Sequence, residues 1–173
     1  MKNIITKIII TWFGCGLVPL APGTAGSLGT MPLAIFLLNR NCSVPLLVVL
    51  ATALTIIAIF FVAIDQRTST TKDPGYVVID EAAGILWSIS SLPLLTEFQG
   101  GISFSARQNI ILVFCFVCFR IFEVLKPFPA GYFDAQSKVA AGANSRGAHI
   151  VLDDVVAGIY TALLTFFVFK YIF

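Results

Sequence analysis

The chain has 173 residues, 58% of them apolar and only 12% charged, with a formal charge of +2 at pH 7, and its mean hydropathy is +0.94. A soluble domain is about half apolar and a quarter charged, so the expected solvent is the bilayer. The length excludes two independent membrane domains, and the small dispersed charge excludes the basic tract that nucleic-acid binding needs.

Lys2 and Lys7 are followed by a short apolar stretch that ends Trp12-Phe13-Gly14-Cys15. It is not read as a lipoprotein leader, because it is short and aromatic rings stand where small or aliphatic residues belong. Pro19, Pro22, Gly23, Gly26 and Gly29 punctuate residues 17–31, and the apolar run 32–38 is too short to cross a membrane alone. A broken or re-entrant helix is expected there. Residues 44–64 are apolar without a charge, long enough at about 1.5 Å per residue for a ~30 Å hydrocarbon core. Segments 80–95, 109–125 and 149–169 carry charge near one end and are about long enough to span if tilted. The expected fold is all-α, a polytopic membrane bundle of about four to five helices in one integral-membrane domain, residues 1–173.

If residues 20–27 lie on one side, alternating spans place 65–79 and 126–148 with them, and 39–43 and 96–108 opposite. The first side collects Lys2, Lys7, Arg67, Lys72, Lys126, Lys138 and Arg146, against Arg40, Arg107 and Lys170 on the second. The positive-inside bias assigns the first side to the cytoplasm. Every polar motif also falls on that side.

Five acids border the apolar helices at similar depth: Asp80, Glu81, Glu123, Asp153 and Asp154. A carboxylate costs about 2.5 to 3.5 kcal/mol at the bilayer centre and less near the interface, so such acids usually face a cavity or a partner. Small residues sit one turn from the acids, Gly84 after Asp80 and Gly158 after Asp154, allowing close helix approach. Carboxylates converging from separate helices suggest a hard divalent cation, Mg²⁺ or Ca²⁺. The bland alternative is helix-terminal acids in headgroup water, satisfying the positive end of a helix dipole. Arg120, Glu123 and Lys126 recur at i, i+3 spacing, so the two cations can neutralise part of the cluster.

Residues 22–27 read Pro-Gly-Thr-Ala-Gly-Ser, a helix opening whose N–H groups could cradle a phosphate with help from Thr24 or Ser27. The bland reading is a turn with a cap; without a lysine it is no Walker loop. Lys126-Pro127-Phe128-Pro129 ends its helix and leaves Lys126 at the membrane surface, where a merely snorkelling lysine would also sit. The cysteines are Cys15, Cys42, Cys115 and Cys118, without a second pair at zinc-site spacing, and are read as packing thiols. His149 stands alone, and Cys115 to Arg120 misses C-x5-R spacing by one residue. Catalysis would therefore rest on a metal and fixed positive charge.

Four blocks and one single residue carry a family resemblance: P-G-T-x-G at 22–26, D-E-x-x-G at 80–84, F-R-x-x-[DE]-x-x-K-P-x-P at 119–129, D-D-x-x-A-G at 153–158, and Asp134. In order and spacing the chain resembles phosphatidylglycerophosphatase A over most of its length. The resemblance implies Mg²⁺-dependent hydrolysis of phosphatidylglycerophosphate to phosphatidylglycerol and phosphate, at the cytoplasmic face of the bacterial inner membrane. Its substrate would be a phospholipid in the bilayer; it says nothing of oligomeric state.

On this reading Asp80, Glu81, Glu123, Asp153 and Asp154 supply the metal site, not all necessarily in direct contact with the ion. Arg120 and Lys126 hold phosphate oxygens with Pro22, Gly23, Thr24, Gly26 and Ser27, and Lys72 and Arg146 are further candidate contacts. Three departures stand out: Glu123 where Asp is common, no histidine in Lys72-Asp73-Pro74-Gly75, and Gly142-Ala143-Asn144-Ser145-Arg146-Gly147 in place of a glycine-rich stretch. A CDP-alcohol phosphotransferase-like enzyme is one rival, though its D-G-x2-A-R pattern is absent. A small cation transporter or channel subunit is another, but it wants acids near the midplane rather than at one interface.

Overall fold

The computed structural model describes residues 4–72, 74–97 and 104–172, with the backbone alone for 96, 97 and 104–107. Most of the loop expected at 96–108, with Arg107, and likewise Lys2 and Asp73, lie outside the described residues or side chains. All the regular structure among the described residues is helical.

The chain runs through α1 (Ile4–Ile10), a single 3-10 turn at Cys15–Leu17, α2 (Pro22–Asn39), α3 (Val44–Gln66), α4 (Ile79–Ile89), α5 (Leu92–Glu97), α6 (Phe104–Leu125), α7 (Ala130–Val139) and α8 (Ala143–Tyr171). Prolines mark several boundaries. Pro22 opens the first turn of α2, where its missing N–H has no helical partner to lose, and Pro127 stands two residues past the end of α6. Three helices are long and apolar enough to cross a membrane: α3, residues 108–125 of α6, and α8. Their outward faces expose Val49, Ile56, Phe60, Val113, Leu163 and Phe167, as lipid-facing surfaces do.

Two expected elements take a different form. The punctuated stretch is broken only before Pro22; from there α2 runs through Gly23, Gly26, Gly29 and Pro32 as 18 residues, about 27 Å. Segment 80–95 is divided instead. Its chain turns at Ser90 and Ser91 between α4 and α5, and Ser90 Oγ donates to the Trp87 carbonyl at 2.7 Å. The 11 residues of α4 reach only about 16 Å, too short to span.

That short helix is the centre of the molecule. All of its residues except Trp87 are buried, and α2, α3, α6 and α8 pack around it. Glycines let α4 and α8 touch backbone to backbone. A Cβ on Gly84 would meet the Phe119 ring and, at 2.9 Å, the Asp154 carbonyl, while one on Gly158 would collide with the Gly84 carbonyl and lie 2.9 Å from Trp87 Cβ. Polar bonds join the helices as well: Trp87 Nε1 donates to Thr55 Oγ1 at 3.2 Å and Ser91 Oγ to the Ala162 carbonyl at 2.9 Å. Such bonds average about 0.6 kcal/mol in membranes, so close packing contributes most of the cohesion.

Gly158→Val should therefore lower the thermal midpoint in detergent, at a cost of about 1–3 kcal/mol, because backbone cannot yield as a flexible side chain does; an unchanged midpoint would mean α4 and α8 are not in this contact. Asn41 and Thr71 are exposed at opposite ends of α3. Cysteines placed there in an otherwise cysteine-free chain should react with impermeant reagent from opposite sides of the membrane. Labelling of both from one side would remove α3 as a span.

Candidate functional site

Three helix ends and one helix face meet in a cavity of about 300 Å³, lined by the start of α2, the loop at Gly75 and Val77, the start of α4, the end of α6 and one face of α8. The spacing along each element sets which side chains arrive. Asp80 and Glu81 occupy the first turn of α4, the positive end of its dipole. Arg120, Glu123 and Lys126 present one face of α6, and Asp153 and Asp154 lie beside Ile150 on α8. The Val78 amide donates to the Ile10 carbonyl at 2.9 Å, tying the start of α4 to the end of α1. A Cβ on Gly26 would sit 2.7 Å from that of Val78, so glycine there brings α2 against the same point.

Five acids reach the cavity but divide into two kinds. Carboxylate oxygens of Asp80, Glu81 and Asp154 lie within 4.8 Å of one another, and all three residues are buried. Glu81 Oε2 is buried without a hydrogen-bond partner. Glu123 is instead ion-paired with Arg120, and Asp153 accepts from Lys126 Nζ at 2.8 Å. Backbone amides steady Asp80 and Asp153: the Glu81 N–H donates to Asp80 Oδ1 at 3.1 Å and the Asp154 N–H to Asp153 Oδ1 at 3.0 Å.

The cations are held in place from outside the cavity. Arg120 Nη1 donates to Ser27 Oγ at 3.4 Å, and Ser27 Oγ donates to the Gly23 carbonyl at 3.0 Å. Gly23 leaves the room for this. A Cβ there would stand 2.5 Å from Glu81 Oε1 and 3.3 Å from Arg120 Nη1. Lys126 also bonds Asp134 of α7, whose other oxygen accepts from Lys138 at 2.7 Å. Burial would lower the Lys126 pKa, but the charges of Asp153 and Asp134 outweigh it and raise the ammonium's pKa. Burial would likewise raise Asp134, yet its bonds from Lys126 and Lys138 hold the carboxyl below the usual range. The Tyr160 hydroxyl donates to the Phe128 carbonyl at 2.7 Å and fixes the loop beyond Lys126.

Of the residues singled out from sequence, Pro22, Gly23 and Thr24 line the cavity with the five acids, Arg120 and Lys126. Gly26 and Ser27 stand behind the wall, one as a packing contact and the other as a partner of Arg120. Lys72 and Arg146 do not line it. Lys72 Nζ donates to the Lys138 carbonyl at 2.8 Å, and Arg146 bonds the Ala140 carbonyl at 2.9 Å and Gln66 Oε1 at 3.4 Å. Sequence reasoning quoted Asp134 without a role; its i+4 spacing to Lys138 was the available signal. Gly75, Val77 and Ile150 carry no chemistry that could have marked them.

Three carboxylates this close cannot all stay ionised unless positive charge joins them. The donor set, all carboxylate oxygen, fits a hard divalent cation, and the unsatisfied Glu81 oxygen gives it a ligand. Arg120 and Lys126 across the same cavity suit an anion with several oxygens. The cavity thus offers groups that could hold a metal ion and a phosphate-like anion side by side.

A family model described as Phosphatidylglycerophosphatase A matches residues 8–169. The chain is 29% identical to Phosphatidylglycerophosphatase A of Haemophilus influenzae, over 92% of this chain and 85% of that one. It is 27% identical to Phosphatidylglycerophosphatase A of Escherichia coli, over 93% and 81%. A Bacteroides thetaiotaomicron protein, 29% identical over 91% and 89%, carries provisionally the name phosphatidylinositol-3-phosphatase. No solved structure matches the chain.

The Asp134 ion pairs give an acid dependence with a definite sign. A carboxyl whose pKa is lowered by folding stabilises the fold fully above its unfolded value, about 3.9, and that contribution is lost as pH falls through the folded value. The thermal midpoint in detergent should fall between about pH 5 and pH 3, and less steeply in Asp134→Asn. Equal slopes in the two proteins would remove Asp134 as the source.

Proposed function

The chain belongs to the phosphatidylglycerophosphatase A family, and on that premise we propose that it hydrolyses phosphatidylglycerophosphate to phosphatidylglycerol and inorganic phosphate, dependent on Mg²⁺, in phospholipid biosynthesis. It would act as a multi-pass protein of the bacterial inner membrane with the cavity facing the cytoplasm. One observation carries the reading: three buried carboxylates gathered within 4.8 Å, facing an arginine and a lysine across one cavity.

Asp80, Glu81 and Asp154 would hold the metal. When bound, the cation supplies Lewis acidity at the phosphoryl group and at water. The protein's own groups position the substrate. The first amides of a helix have no intrahelical partners, and on α2 these belong to Gly23 and Thr24 at the cavity wall, suited to phosphate oxygens. Arg120, aimed by Glu123 and Ser27, offers a planar fork to the same group. Lys126 Nζ gives two of its three N–H donors to Asp134 and Asp153, and the third can meet a phosphate oxygen. Either Glu123 or Asp153 can take a proton from water once its cation turns to the substrate.

The test is phosphate release from phosphatidylglycerophosphate in mixed micelles by purified protein. Chelation should abolish it and Mg²⁺ restore it; full activity in excess chelator would overturn the metal role. Asp80→Asn and Asp154→Asn keep side-chain shape but remove charge, and each should lose most turnover while remaining folded. Arg120→Lys should stay folded, because it can still offset Glu123, yet lose more than about tenfold in turnover. A wild-type rate in Arg120→Lys would make Arg120 a structural counter-ion and move phosphate binding to Lys126 and α2.

A further inference from the structure

The loop that joins α3 to α4 is fastened near both of its ends to one residue of α3. The Asp65 carbonyl accepts from the amides of Thr68 at 3.0 Å and Ser69 at 2.9 Å, and Asp65 Oδ2 accepts from the Tyr76 hydroxyl at 2.8 Å. Asp65 is buried in the last turn of α3, the negative end of the helix dipole, where local electrostatics favour a cation over an acid. A residue that breaks a local rule points to a role elsewhere in the fold. The far end of the loop supplies it. Gly75 and Val77, the neighbours of Tyr76, line the cavity, and Asp80 and Glu81 follow in the first turn of α4. Tyr76 is also enclosed from the other sides: a Cβ on Gly16, in the turn ahead of α2, would collide with its carbonyl, and its side chain packs on the buried cluster that includes Val62 and Ile79.

We propose that Tyr76, held by Asp65, is a positioning residue for the acid cluster: the bond fixes where α4 begins and so keeps Asp80 and Glu81 beside Asp154 before an ion arrives. The proposal rests on the metal reading above and adds what assembles that site. Carboxylates within 4.8 Å of one another repel when ionised. Asp154 is set within the 29 residues of α8, whereas Asp80 and Glu81 open a helix of only 11, whose start moves with the loop that leads into it. A loop tethered to a membrane-spanning helix resists their separation. Without the tether, binding must first gather the acids, so the loss falls on affinity for the ion and not on turnover once the ion is bound.

The test is Mn²⁺ titration of the purified protein in detergent, read from the free-ion paramagnetic resonance signal, beside phosphate release from phosphatidylglycerophosphate over a range of Mg²⁺. Tyr76→Phe removes one oxygen and no carboxylate. It should raise the Mn²⁺ Kd by about fivefold or more, raise the Mg²⁺ concentration for half-maximal turnover by a similar factor, and leave kcat at saturating Mg²⁺ within about twofold. In an Asp65→Ala background the same substitution should change the Kd no further, because the bond is already gone. Thr55→Val is the control for cohesion alone. It breaks the bond from Trp87 between the same two helices, about 15 Å along α3 from Asp65, and should lower the thermal midpoint without altering the Kd. An unchanged Kd in Tyr76→Phe, an equal rise in both backgrounds, a rise of the same size in Thr55→Val, or a fall in kcat as large as the rise in Kd would overturn the positioning role. If Tyr76→Phe does not fold, Asp65→Ala alone carries the test, with the same rise expected and an unchanged Kd against it. A wild-type protein that binds no Mn²⁺ would overturn the metal reading itself, so the unmodified chain tells the two failures apart.

Discussion

Burying several carboxylates at one level of an apolar bundle is the constraint on which this structure turns. In water such a group is screened; among helices the same charge must find cations, amides or a metal. The chain answers with position rather than with number. Two of its acids open α4, Glu123 stands near the end of α6 and Asp153 and Asp154 lie within α8; two cations stand on one face of α6, and the glycines lie where backbone must pass close by. Arg120 and Lys126 balance Glu123 and Asp153, which leaves Asp80, Glu81 and Asp154 as the group suited to a divalent ion.

The packing serves that arrangement. A half-length helix at the centre places its two N-terminal acids at the cavity. Gly84 and Gly158 let α8 approach closely enough that Asp154 joins Asp80 and Glu81. Gly23 and Gly26 do the same for α2, one beside Glu81 and Arg120, the other against Val78. A side chain at any of these points would act on the site through the distance between helices, not through chemistry of its own.

Much of this was legible in the sequence, for reasons that differ by element. The charge-free run in α3 and the apolar stretches of α6 and α8 read directly, because length and hydropathy alone decide whether a helix spans. Pro22, Asp80, Glu123 and Asp153 do line one cavity, but the alternation that grouped them counted a crossing at 80–95 that α4 is too short to make. The turn at Ser90 and Ser91 did not show, since two serines in an apolar run resemble tolerated helix residues. The glycines of α2 misled in the other direction: they signal close packing, and Pro22 at the helix start breaks nothing. Which acids meet each other and which meet cations depends on side-chain reach across helices, and no spacing along one chain encodes it. Lys72 and Arg146 belong to the same charge-rich side but are held by the Lys138 and Ala140 carbonyls away from the cavity.

The central claim is that the cluster of Asp80, Glu81 and Asp154 holds a divalent cation, and it can be tested without turnover. Mn²⁺ binding to the purified protein in detergent, followed by loss of the free-ion paramagnetic resonance signal, measures it directly. The account expects about one ion per chain, displaced by Mg²⁺, and none in a folded protein carrying Asp80→Asn and Asp154→Asn together. Undiminished Mn²⁺ binding in that double variant would contradict it.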